Sequence, residues 1–165
     1  MSNAYLFNDV LTVGKQATAD VTHYLEQEKG YKVENVEDMP EYQKKDIDLI
    51  AHTSAGTMTI EVKGDRYFKT GNYFIETVSN RNKETLGCIL YSEADFLFYY
   101  FVEPKELHII DMKKLQHWFK KNSHRFQERY VRTKGSDGKI IYSSEGKLVP
   151  RIILAKEVGV TVRGL

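Results

Sequence analysis

The chain has 165 residues, of which 41% are hydrophobic and 28% charged, and its formal net charge is +1. That length suits one domain built on a single core, and that balance excludes a disordered or fibrous chain. The one cysteine, Cys88, excludes internal disulfides and a cysteine-rich zinc site.

The near-neutral total hides an asymmetry. Residues 1–41 carry eight acidic and three basic side chains, whereas residues 120–139 carry seven basic ones against Glu128 and Asp137. Lys120, Lys121, Arg125 and Arg129 belong to that basic stretch, which offers a local surface for a polyanion. Residues 1–8 show neither a basic segment nor an apolar one of the kind a secretory leader needs. The longest apolar run, Phe96 to Val102, is too short to span a membrane. The expected location is the cytoplasm, with no membrane contact.

In chain order, Asp9 to Lys29 predicts an amphipathic helix, with Val10, Ala17, Val21 and Leu25 on one face, Asn8 or Asp9 as its cap and Gly30 at its end. Tyr31 to Val36 predicts a short strand, and the polar stretch from Glu37 to Lys45 predicts a loop. Asp46 to His52 and Thr57 to Lys63 predict a hairpin about the Ser54-Ala55-Gly56 turn. A loop over Gly64 to Asn72 precedes a third strand, Tyr73 to Ser79. Asn80 to Gly87 reads as a loop or short helix. Asp95 to Val102 is apolar on both faces, as a strand in the middle of a sheet is, so its rings belong to the core rather than to a stacking platform. The turn Glu103-Pro104-Lys105 leads to Leu107–Ile110. Asp111 then caps a helix from Met112 to about Asn122, with Leu115, Trp118 and Phe119 turned inward. Ile140–Tyr142 and Arg151–Ala155 are short strand candidates. The five histidines lack metal-ligand spacing and read as structural or surface residues.

The chemistry gathers in the hairpin. With its turn near Ala55, Asp48 stands opposite roughly Val62, one residue from Glu61, and paired strands lie about 4.8 Å apart. Glu61 and Lys63, two apart on one strand, point to one face. Magnesium takes hard oxygen ligands, here the carboxylates of Asp48 and Glu61 and the Val62 carbonyl. Such an ion polarises a phosphate, and Lys63 offsets charge that develops there.

Asp48-Leu49-Ile50-Ala51, a turn, then Ile60-Glu61-Val62-Lys63 resembles the core motif of the PD-(D/E)XK nuclease superfamily, and most of all its restriction-endonuclease-like and Holliday-junction-resolvase-like members. The resemblance covers roughly Asp9 to Ser79. It implies an α/β restriction-endonuclease-like fold, a central mixed β-sheet flanked by helices, and hydrolysis of DNA phosphodiesters with Mg2+ or Mn2+. Asp48 and Glu61 match the metal-binding acids and Lys63 the catalytic lysine. Two positions depart from the pattern: Ile47 stands where a proline often precedes the Asp, and Thr18 stands where many members carry a first-helix Glu. Asp20 and Gln16 are the nearest substitutes for that Glu. Glu76 resembles an extra acidic position of some members, and Asp46 is a flanking acid.

The expected organisation is a single nuclease-like domain over residues 1–165, with its core at about 9–122 and a basic C-terminal extension at about 123–165. The expected partner is linear or branched DNA, contacted through Arg66, Lys69, Arg81, Lys120, Lys121, Arg125 and Arg129. Cutting two strands with one site per chain favours a homodimer, and no small-molecule cofactor is expected. A non-catalytic nucleic-acid-binding module on a nuclease-like fold is the alternative. A surface cross-strand ion pair in an interaction protein is the bland reading of the same residues.

Overall fold

The computed structural model describes residues 3 to 165. The chain opens with β1 (Asn3–Leu6) and α1 (Phe7–His23), which continues as a π-helical turn, Tyr24–Glu28. The helix starts with Leu6 at its cap and no side-chain cap bond, two residues before the expected Asp9. Gly30, at φ +67°, closes it as expected, in a conformation that glycine adopts without strain. Next come β2 (Lys32–Asn35), α2 (Pro40–Gln43), β3 (Leu49–Thr53), β4 (Gly56–Asp65), β5 (Asn72–Asn80), β6 (Thr85–Leu86) and α3 (Cys88–Tyr91). The chain continues with β7 (Phe96–Phe101), β8 (Glu106–Asp111), α4 (Met112–Asn122), β9 (Gln127–Lys134), β10 (Ile140–Pro150), α5 (Arg151–Glu157) and β11 (Thr161–Gly164).

The result is α/β with two mixed sheets rather than one. The first has six strands in the order β11-β8-β7-β4-β3-β2, and the second five in the order β1-β9-β10-β5-β6. The predicted third strand, β5, leaves its neighbour in sequence and pairs antiparallel with β10, from Asn72↔Pro150 to Val78↔Glu145. Residues 123–165, expected as an extension, are therefore built into the body of the protein. Arg151–Ala155 is helical rather than extended: Pro150 begins the turn with its fixed φ, and Leu154 is buried.

The six-stranded sheet is covered on both faces. On one, Ala17, Val21 and Leu25 of α1 pack on Leu49, Ile60, Phe98 and Tyr100. Gly64 permits this close approach, since a Cβ there would lie 2.8 Å from the Val13 carbonyl oxygen and 2.9 Å from the Ala17 Cβ. On the other face, Leu97, Tyr99 and Phe101 meet Leu115 and Phe119 of α4, Tyr73 and Ile75 of β5, and Val149 of β10. β7 lies between β4 and β8, and Leu97 to Phe101 are all buried, as a doubly covered strand requires. Alternation along β4 turns Ile60 and Gly64 to α1 and leaves Glu61, Lys63 and Asp65 facing the second layer. No helix among the described residues is long and apolar enough to cross a membrane.

Candidate metal and phosphate site

The hairpin forms with Thr53 paired to Gly56 and Leu49 to Ile60. Its turn therefore centres between Ser54 and Ala55, half a residue before the expected position. One step beyond Leu49, Asp48 falls opposite Glu61 itself, and directly opposed residues share a face. The Val62 N–H donates to Asp48 Oδ2 at 2.8 Å, and the Asp48 N–H donates to the Ile60 carbonyl at 2.9 Å. Val62, expected to offer its carbonyl, thus enters through its N–H, which aims the Asp48 carboxylate. Asp48 and Glu61 lie close enough for each to act on the other's charge.

Asp46 and Cys88 complete the cluster. One ligand atom from each of Asp46, Glu61 and Cys88 lies within 4.8 Å of the others. Asp46 holds φ +54°, a left-handed conformation that costs a non-glycine residue energy unless its surroundings enforce it. They do so here: the Asp46 N–H donates to the Gln43 carbonyl (3.2 Å), and Ser92 Oγ donates to the Asp46 carbonyl (2.9 Å). Cys88 opens α3, which follows Gly87. A Cβ at Gly87 would lie 1.9 Å from the Glu76 carbonyl oxygen, so only glycine lets the chain pass there.

Electrostatics show what this crowding costs. Burial, then the neighbouring Asp48, pushes the Asp46 carboxyl up to about 7. Burial, then Asp48 and Asp46, holds the Glu61 carboxyl well above the usual range. Burial raises Asp48 as well, against the Val62 N–H and Glu61, which lower it. The Cys88 thiol is pushed up by burial, against the pull of Lys63. Asp46 Oδ2 and Glu61 Oε2 are buried with no hydrogen-bond partner. Unpartnered buried carboxyl oxygens are costly, and a nearby cation would offset that cost. Asp46, Glu61 and Cys88 could hold a metal ion.

Lys63 stands beside this cluster. Its Nζ lies 3.5 Å from Glu76 Oε1, and both side chains are largely buried. Burial disfavours the Lys63 charge, but Glu76, followed by Cys88, Asp65 and Glu61, outweighs it and holds the ammonium firmly protonated. The structure thus brings together Asp46, Asp48, Glu61, Lys63 and Glu76. It does not bring Asp20: that carboxylate sits on α1, against the opposite face of the sheet, where Tyr100 Oη (2.8 Å) and Gln16 Nε2 (2.7 Å) donate to it. Thr18 is buried and donates to the Gly14 carbonyl.

The expected DNA-contacting residues divide. Arg66 and Arg129 line a cavity of about 340 Å³ that also takes in Lys63 and Glu76. Lys69 is exposed on the helical turn Phe68–Thr70 at the cavity's edge. Arg81 is paired with Glu145 and lies over the Tyr130 ring, and Arg125 is held by Glu157 and Asn122. Lys120 and Lys121 are exposed on the last turn of α4. These last four lie outside the cavity lining. Sequence reasoning missed Cys88 as part of the cluster, since no local motif joins it to residues 27 or more positions away. It also missed the cavity, whose walls come from β1, α1, β4, β5, β7, β9 and β10. No family model, curated protein or solved structure matches the chain.

Proposed function

We propose that this chain is a nuclease that hydrolyses DNA phosphodiesters with Mg2+ or Mn2+, on a restriction-endonuclease-like variant of the α/β fold. The observation that carries the reading is the pair of buried, unpartnered carboxyl oxygens of Asp46 and Glu61 beside Asp48, with a charged Lys63 next to them. Asp46, Asp48 and Glu61 would hold the ion, which supplies Lewis-acid polarisation of the phosphate.

The chain's own groups do the rest. The Val62 N–H fixes the Asp48 carboxylate, so this acid is oriented before any ligand arrives. Positive charge in the cluster would lower the Glu61 carboxyl, which burial beside two acids holds high. The Lys63 ammonium, held charged by Glu76, donates to a non-bridging phosphate oxygen and offsets the charge gathering there. Glu61→Gln and Lys63→Ala should each lower Mg2+-dependent cleavage of plasmid or branched DNA by about 100-fold or more. Cleavage at the wild-type rate by either variant removes the reading.

A second reading rests on one observation. Asp20 is spent on Tyr100, on the far side of the sheet, so the first helix adds no acid to the cluster. A non-catalytic DNA-binding module on the same fold would then bind DNA in a salt-sensitive way with no turnover in Mg2+ or Mn2+.

A further inference from the structure

The cavity next to Lys63 has a composition that the acid cluster does not explain. It lies between the second sheet and the α1–β4 layer, and its lining mixes aromatic rings with cations. Tyr5 and Tyr67 meet with ring centroids 5.5 Å apart, and the Arg66 guanidinium lies 5.5 Å from the first and 5.4 Å from the second. Phe74 and Tyr142 add two more rings to the lining. Phe74 lies over β10 at Gly146, where a Cβ would come within 2.5 Å of the ring, so the missing side chain makes room for this wall.

The charges are unbalanced in an informative way. Both acids in the lining are committed: Asp65 accepts from the Tyr99 hydroxyl and from the Tyr67 N–H, and Glu76 holds Lys63. Among the described residues no carboxylate pairs with Arg66 or Arg129. The cavity therefore offers two cations without counter-ions and several ring faces. Its volume of about 340 Å³ falls at the small end of the roughly 300–1,000 Å³ typical of ligand pockets. A duplex cannot enter it, whereas one planar group with its phosphate can.

We infer that this cavity receives an unpaired nucleotide, its base against Tyr67, Phe74 and Tyr142 and its phosphates on Arg66 and Arg129. The inference deepens the proposed nuclease reading and rests on it for the substrate class: strands with unpaired nucleotides, as at flaps, junctions or single-stranded tracts, rather than continuous duplex. Lys63 and Glu76 form the wall between the cavity and the acid cluster, so a nucleotide seated in the cavity brings a phosphodiester of the same strand to Lys63. Aromatic stacking accepts any base, so the recognition tolerates sequence. Unpaired bases enter at least cost because no stack or pair need be broken.

The test measures binding without cleavage. Fluorescence anisotropy in EDTA compares a single-stranded oligonucleotide, a duplex of the same length and that duplex with a central unpaired bulge. The wild type should prefer the single strand and the bulge over the duplex by about tenfold or more. Tyr142→Ala and Arg129→Gln should each weaken the preferred binding by about five- to tenfold. Val131→Phe, which fills the cavity from β9, should do the same, with its melting curve checked against the wild type. Equal affinity for duplex and single strand, or wild-type affinity in Tyr142→Ala and Arg129→Gln, overturns the inference. Because no metal is present, a chain that binds unpaired strands but never cuts overturns only the nuclease reading. One that cuts continuous duplex as fast as bulged DNA overturns only the cavity assignment.

Discussion

At the scale of single residues, burial and mutual repulsion raise the carboxyls of the acid cluster. Asp46 has its carboxyl raised from 3.8 to about 7, so the folded chain keeps a proton that the unfolded chain has released. The folded state binds more protons across that window, so stability contributed by this group is present below pH 3.8 and is lost as pH rises toward about 7. Glu61 is shifted the same way and adds to the trend. Thermal melts of the metal-free protein should therefore show a melting temperature that falls from about pH 4 to pH 7, with a shallower fall in Asp46→Asn. Mn2+ should raise the melting temperature more at pH 8 than at pH 5, because protonated acids compete with the ion. A pH-independent melting temperature would contradict this. The Lys63–Glu76 pair lies mostly out of solvent. Glu76→Gln leaves a buried ammonium without its counter-charge and should cost about 2 kcal/mol in urea unfolding.

At the scale of elements, two glycines set distances that side chains would spoil. Gly64→Ala pushes α1 away from β4, because the new methyl meets the Val13 carbonyl and the Ala17 Cβ. Chemical denaturation should show a loss of about 1–3 kcal/mol. Gly87→Ala strikes the Glu76 backbone, so it should displace both Cys88 and Glu76 and weaken Mn2+ binding, read by calorimetry, as well as stability. By contrast, α4 is a local affair. Asp111 Oδ1 accepts from the Lys114 N–H, as its sequence position predicts, and Asp111→Ala should cost about 1 kcal/mol without touching metal affinity.

At the scale of the whole molecule, residues 123–165 are structural. Among the described residues β5 pairs only with β10 and the two-residue β6, and Val149 and Leu154 belong to the same buried cluster as Tyr73, Ile75 and Phe101. A chain ending at Asn122 would bare Tyr73 and Ile75 and leave β5 unpaired along most of its length. It should give no cooperative thermal transition by circular dichroism and should bind a hydrophobic dye strongly. A sharp transition in that fragment would mean that residues 9–122 hold a core of their own.

What could be read from the sequence was what near neighbours in the chain decide. The β3–β4 hairpin, the cap at Asp111, the buried β7 strand and the shared face of Glu61 and Lys63 all follow from turn residues, alternation and spacing over a few positions. So does the nearness of Asp48 to Glu61, although the register differs by one residue, Asp48 falling opposite Glu61 rather than Val62. The tertiary structure alone decided the rest: that β5 turns from the first sheet to β10, that Glu76 meets Lys63, that Cys88 joins Asp46 and Glu61, and that Asp20 faces away. Those contacts join segments far apart in the chain. Their energy comes from burying Tyr73, Tyr99 and Phe101 between two layers, a gain that leaves no periodic mark on either partner's sequence.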